Sequence, residues 1–142
     1  MIQILSGIQN TSAALDAEQT RLDVISQNIA NVNTAHGVDG KPYQRQVVVF
    51  ESALQQATNN SEGVQMPALQ VARVEKDTSP PIQIYNPGSP DADKNGLVSM
   101  PNINIQEEMA DLISASRSYE ANLAVVKNSR SMAMETLAIG KH

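Results

Sequence analysis

The chain has no cysteine and no tryptophan, and only three tyrosines and one phenylalanine supply aromatic rings. Without thiols there is no disulfide framework, no thiolate nucleophile and no thiolate-rich structural zinc site. The redox compartment stays open. With so few rings, any core must be assembled from Ile, Val, Leu, Met and Ala. An excess of positive charge is also lacking: ten Lys and Arg face fifteen Asp and Glu, for a net charge of −5. Non-specific nucleic-acid binding depends on counterion release by clustered cations, so no nucleic-acid partner is expected. No apolar run approaches the roughly 18–20 residues of a membrane span, so no membrane insertion is expected. The opening Met1-Ile2-Gln3-Ile4-Leu5-Ser6-Gly7 has no basic n-region and no long apolar h-region. A conventional cleaved signal peptide is therefore not expected, and by these rules alone the chain reads as cytoplasmic. At 142 residues it is one domain, or a small domain with appended helices.

Proline is absent from residues 1–33, and Gly7 is the only glycine there. Ile8, Leu15, Leu22 and Ile29 recur every seven residues, and Ile4, Ile25 and Val32 occupy the matching half-heptad, interrupted by Thr11 and Glu18. This is a narrow stripe of coiled-coil type, on a helix predicted to span roughly 50 Å. Residues 104–139 repeat the design. Met109, Leu112, Ser116, Tyr119, Leu123, Val126, Arg130, Ala133 and Leu137 alternate in steps of three and four. Asn104 is the expected N-cap, with Glu107 placed to complete a capping box and Gly140 to close the element.

Between these helices the spacing changes. The runs Val47-Val48-Val49-Phe50, Leu69-Gln70-Val71-Ala72-Arg73-Val74, Ile82-Gln83-Ile84-Tyr85 and Leu97-Val98-Ser99-Met100 read as short strands. Residues 55–67, rich in Gln, Asn, Ser and Thr, read as a surface loop. All seven prolines fall between Pro42 and Pro101. The predicted fold class is α+β: long N- and C-terminal helices pairing as a coiled coil, with a small β-rich module between them. The boundaries expected are 1–34 and 103–142 for the inner helical domain and 35–102 for the middle module. A stripe this narrow needs a partner surface, supplied by the other helix, by copies of the chain or by relatives.

Candidate chemistry is sparse. Asp91-Ala92-Asp93-Lys94-Asn95-Gly96 matches the start of a calcium-binding EF-hand loop, but its twelfth position is Asn102 instead of Glu, and Asn86-Pro87-Gly88-Ser89-Pro90 cannot form the entering helix. It reads as an Asx- and Gly-rich turn. His36 and His142 stand alone. Glu107 and Glu108 are adjacent, splay around the helix and read as a solvated first turn favoured by the helix dipole. No metal, cofactor or catalytic residue is expected, and the chain is not expected to be an enzyme. Asn28, Asn31 and Asn33 admit two readings: a helix end fraying into a turn, or amides that hydrogen-bond across a helix–helix interface and fix its register.

At these residues the sequence resembles a known family. Asp23-Val24-Ile25-Ser26-Gln27-Asn28-Ile29-Ala30-Asn31-Val32-Asn33-Thr34 is similar to the N-terminal signature of bacterial flagellar axial proteins, the rod and hook subunits. Tyr43-Gln44-Arg45, Val47-Val48-Val49-Phe50-Glu51, Asp77-Thr78-Ser79-Pro80-Pro81 and Tyr85-Asn86-Pro87-Gly88-Ser89-Pro90-Asp91-Ala92-Asp93 extend the likeness towards the proximal-rod members. So do Pro101-Asn102-Ile103-Asn104, Glu107-Glu108-Met109 and Ser114-Ala115-Ser116-Arg117-Ser118-Tyr119-Glu120-Ala121-Asn122. The likeness spans roughly the first third and the last half of the chain, with little over residues 51–75. Gln44 and Ser89 depart from the basic residue and the histidine that the family leads one to expect.

The resemblance implies a structural rod subunit of the flagellar basal body, in the periplasmic space. Its implied partners are other flagellar rod proteins, copies of itself and the flagellar type III export apparatus, reached through an uncleaved N-terminal region. It further implies terminal segments that are largely disordered in the monomer and pair as helices on assembly. The expected interface residues are Ile8, Leu15, Leu22, Ile25 and Ile29 with Asn28, Asn31 and Asn33 on the first helix, and Met109, Leu112, Tyr119, Leu123 and Val126 on the last. A different axial subunit, or a self-contained coiled-coil adaptor, remains an alternative.

Overall fold

The computed structural model describes residues 2–37, 39–53 and 68–139. It is an α+β arrangement in the order α1 (Ile2–Ala30), β1 (Gln46–Ala53), β2 (Ala68–Lys76), β3 (Ile82–Tyr85), β4 (Leu97–Met100) and α2 (Ile105–Ile139). The expected loop at residues 55–67, the C-terminal cap Gly140 and His142 lie outside the described residues.

Helix α1 ends three residues before the expected position, and Asn31 is the reason. Its side-chain amide donates to the Gln27 carbonyl at 2.8 Å, beside its own backbone N–H at 3.1 Å. An Asn that bonds locally in this way competes with helix continuation. The chain then turns through Val32 N–H to Ile29 O, Thr34 N–H to Asn31 O and Ala35 N–H to Asn33 O. The Tyr43 N–H donates back to Thr34 O at 3.1 Å, so the reversal returns residues 43–46 beside the last turns of α1.

Strands β1 and β2 pair antiparallel from Gln46↔Lys76 to Ala53↔Ala68. Val49 opposes Arg73 and Phe50 opposes Val71, so the register slips by one residue at Ala72. A bulge of this kind bends and twists a two-stranded ribbon, and both strands pack on α1. Strands β3 and β4 form a second antiparallel pair, Ile82↔Met100 to Tyr85↔Leu97.

The acidic turn between β3 and β4 is held by its own side chain. Asp93 Oδ1 accepts from Asn95 N–H at 2.7 Å and from Leu97 N–H at 2.9 Å. Gly96 adopts φ +75°, and a Cβ there would meet Tyr85 Cε2 at 3.0 Å and Pro87 Cβ at 3.1 Å. The turn therefore needs glycine for both conformation and space. His36 is exposed, with Nδ1 3.1 Å from Asp91 Oδ1.

Asn104 caps α2 as expected, its Oδ1 accepting from Gln106 N–H at 3.1 Å. The second arm of the expected capping box, from Glu107, is not among the hydrogen bonds of the described residues. The two helices pack against each other. Among the described residues, Ala17, Val24, Ile25, Ala35, Val98, Ile103 and Ala115 are the buried hydrophobic side chains, most of them small.

Candidate functional site

The polar side chains that the fold gathers most tightly lie where α1, β1 and α2 meet. Asn28 and Glu108 are each 1% exposed. Asn28 Nδ2 donates to Gln46 O at 2.9 Å and to Glu108 Oε2 at 3.1 Å. Its Oδ1 accepts from Gln46 N–H at 2.9 Å and from the Tyr43 hydroxyl at 3.1 Å. All four hydrogen-bonding positions of the amide are thus filled. Arg45 Nε donates to Glu108 Oε1 at 2.6 Å, a charge-assisted bond that neutralises the buried carboxylate. Burial pushes the Tyr43 hydroxyl above its ordinary value of 10.0, and the nearby Glu108 carboxylate adds to that shift.

Glu108 corrects one sequence expectation. Glu107 is exposed, but Glu108 lies inside and is not part of a solvated first turn. The two acids splay as their adjacency requires, and the fold turns one of them inward. Arg45 and Asn28 tie it to residues 63 and 80 positions away in the chain.

The contacts of this clamp also set which helical faces meet. Asn28 touches Glu108, and Arg21 Nη2 approaches Asp111 Oδ1 at 3.7 Å, so α2 runs back along α1. Continued by four residues, the same register brings Ala17 beside Ala115, which are 1% and 0% exposed. On α1 this face comprises Asn10, Ala14, Ala17, Arg21, Val24 and Asn28. Facing it on α2 are Glu108, Ala115, Asn122 and Ser129. Val24 on α1 and the half-buried Leu112, Tyr119 and Val126 on α2 add larger apolar side chains to this contact of alanines and polar groups. Alanines allow close approach but bury little apolar surface.

The expected interface residues distribute around this seam. Ile25 and Asn28 are buried, and Asn28 bonds across the α1–α2 contact as one of the two sequence readings proposed, while also holding β1. Ile8, Leu15, Leu22 and Ile29 are half-buried and lie around the side of α1 from the row facing α2. Asn31 is half-buried and Asn33 exposed, and both serve the turn. On α2 the heptad rows separate. Leu112, Tyr119 and Val126 are half-buried on the face that carries Glu108, whereas Met109 and Leu123 are 52% and 50% exposed. Leu137, on the same outer row, is 63% exposed.

A cleft of about 520 Å³ is lined by Lys41, Tyr43, Arg45, Lys76 and Asp77 among others. Arg45 is engaged by Glu108. The Asp77 carboxyl is held below its ordinary range by hydrogen bonds from the Ser79 hydroxyl and backbone N–H. Among the described residues no group of three His, Asp or Glu side chains could hold a metal ion, and no helix is long and apolar enough to cross a membrane.

Comparison with known proteins agrees with this architecture. The family model described as "Flagella basal body rod protein" matches residues 8–35, and the one described as "Flagellar basal body rod FlgEFG protein C-terminal" matches residues 94–139. The chain is 43% identical to the flagellar basal-body rod protein FlgC of Borreliella burgdorferi, over 96% of this chain and 97% of that one. It is 36% identical to FlgC of Yersinia enterocolitica, over 99% and 100% of the two chains. The identity to FlgC of Bacillus subtilis is 35%, over 92% and 94%. The two matched regions contain the seam helices and both acidic and amide partners of the clamp, Glu108 and Asn28. The chain belongs to the FlgC family of flagellar basal-body rod proteins, as a structural, non-catalytic subunit.

Proposed function

We propose that this chain is a subunit of the proximal rod, delivered by the flagellar type III export apparatus through an uncleaved N-terminal region to the periplasmic space. There it assembles with other rod proteins and with copies of itself. In the rod, residues 1–34 and 103–142 form the inner helical domain, in which the helices pair as a coiled coil, and residues 35–102 sit further out. The observation that carries this reading is the split of the apolar rows. Ile8, Leu15, Leu22 and Ile29 are only half-covered within the chain, and Met109 and Leu123 stay open.

Burying each such knob against a neighbour contributes about 1.5–3 kcal/mol. Ordering the terminal helices costs on the order of 1–2 kcal/mol per residue in backbone entropy. The contact between α1 and α2 within one chain offsets only part of that cost, so a neighbouring subunit supplies the remainder, through heterologous contacts repeated on a lattice. Asn28 contributes by placing α1, while Asn31 and Asn33 lie at the end of the stripe, where a neighbour can reach them.

Leu22→Asp tests the proposal. A carboxylate in the open apolar row should abolish rod assembly and motility while circular dichroism and middle-module NMR shifts of the purified chain remain those of the parent. Normal flagella in that variant would overturn the proposed interface.

A further inference from the structure

The turn between β3 and β4 holds a bond whose chemistry the fold controls. Asn95 is the only asparagine of the chain followed by glycine, and it is exposed. With no Cβ on Gly96, its backbone nitrogen meets little hindrance in closing on the Asn95 side-chain carbonyl carbon. That step forms the Gly96 N–Asn95 Cγ bond and breaks Cγ–Nδ2, and the amide departs as ammonia with the proton from the Gly96 nitrogen. Water then opens the cyclic imide at either carbonyl. The product at position 95 is aspartate or, with the main chain rerouted through Cγ, isoaspartate.

The folded turn withholds the attacking nitrogen. Gly96 N–H donates to Asp93 O at 3.0 Å, and Gly96 O accepts from Asn86 N–H at 2.8 Å. On either side, Asn95 N–H and Leu97 N–H donate to Asp93 Oδ1 at 2.7 and 2.9 Å, and Asp93 N–H donates to Leu97 O at 2.9 Å. The imide nitrogen carries no hydrogen, so its bond to Asp93 O is lost outright. Tyr85 and Pro87 crowd Gly96, within 3.0 and 3.1 Å of where a Cβ would stand, and leave the peptide little room to swing onto Cγ. Ring closure therefore waits on opening of the turn. An isoaspartyl link adds one carbon to the main chain, which puts the bonds of Gly96 and Leu97 out of register. We propose that Asn95 is a deamidation site gated by the folding of this turn. The unfolded chain loses ammonia there, the folded chain is protected, and a chain converted to isoaspartate cannot reclose the turn. The inference is independent of the rod-subunit reading.

Peptide mass spectrometry of the full-length chain, aged at neutral pH in buffer and in concentrated urea, tests the gate. Asn95 should convert about tenfold or more faster in urea, as a reaction through a rarely open state requires, and ahead of every other asparagine. Equal rates overturn the gate, and earlier conversion of a different asparagine overturns the site. Asp93→Ala removes the acceptor of two turn amides and should bring conversion in buffer close to the urea rate while circular dichroism keeps the parental helix signal. Conversion as slow as the parent's overturns the role given to the turn. A third measurement uses the parental sequence alone, so it does not depend on a variant folding. Chain converted to isoaspartate in urea and returned to buffer should lose amide-exchange protection at Asn86 and Leu97 while retaining it around Asn28 and Glu108. Parental protection at Asn86 and Leu97 overturns the inability to reclose.

Discussion

At the scale of single residues, Asn28 shows why an amide occupies a buried helix position. It presents two donors and two acceptors to a strand backbone, a tyrosine hydroxyl and a carboxylate, and all are matched. Asn28→Ala would leave both polar groups of Gln46 and one oxygen of Glu108 without this partner, for an expected loss of about 2–4 kcal/mol. Asn28→Asp is nearly isosteric but should be worse at neutral pH, because it faces Glu108 Oε2 and Gln46 O with a carboxylate. Its deficit should shrink on acidification as a carboxyl takes up a proton. Urea denaturation of the three chains at neutral and acidic pH measures both orders. Tyr43 gives a test at the other end of the scale. Its pKa is raised in the folded chain by burial, with Glu108 adding. The associated stability is therefore fully present below about pH 10 and is lost as pH rises through the higher folded value. Tyr43→Phe should flatten that alkaline decline while losing the bond to Asn28 at every pH.

At the scale of elements, helix ends and turns follow from local chemistry. The α2 start depends on Asn104, and Asn104→Ala should cost about 1 kcal/mol by removing the acceptor for Gln106 N–H, read from thermal unfolding. The α1 end depends on Asn31 bonding back to Gln27. These boundaries were legible in the sequence to within a few residues, because caps and turns use neighbours. The strands were legible as cores of β-branched residues, although pairing extends β1 and β2 beyond them. Partner choice was not: β1 pairs with β2, and β3 with β4, an order that short alternating runs do not specify.

At the scale of the whole molecule, the clamp divides each long helix into a pinned part and a remote part. Residues 17–28 of α1 and 105–115 of α2 hold the buried groups of the seam, whereas Met132, Met134, Leu137 and Ile139 are 59–76% exposed. Amide hydrogen exchange on the isolated chain should therefore show protection greatest around Asn28 and Glu108 and least near Ile139. Purified basal bodies should extend protection along the remote parts. Uniform strong protection of a free dimer would instead favour a self-contained helical adaptor. The measurement tests the expectation of ends largely disordered in the monomer, because a saturated hydrogen-bond network resists local opening.

The sequence by itself determined the two long helices, the β-rich middle and the Asx turn at Asp93, since each depends on periodicity or on residues a few positions apart. It also carried the signature of the family. Only the tertiary structure decided that Glu108 is buried, that Asn28 saturates its amide, and that Asn28 and Arg21 of α1 reach Glu108 and Asp111 of α2. The physical reason is range. The bonds of Glu108 cross 63 and 80 residues, and an apolar stripe indicates that some surface will be covered without indicating by which molecule.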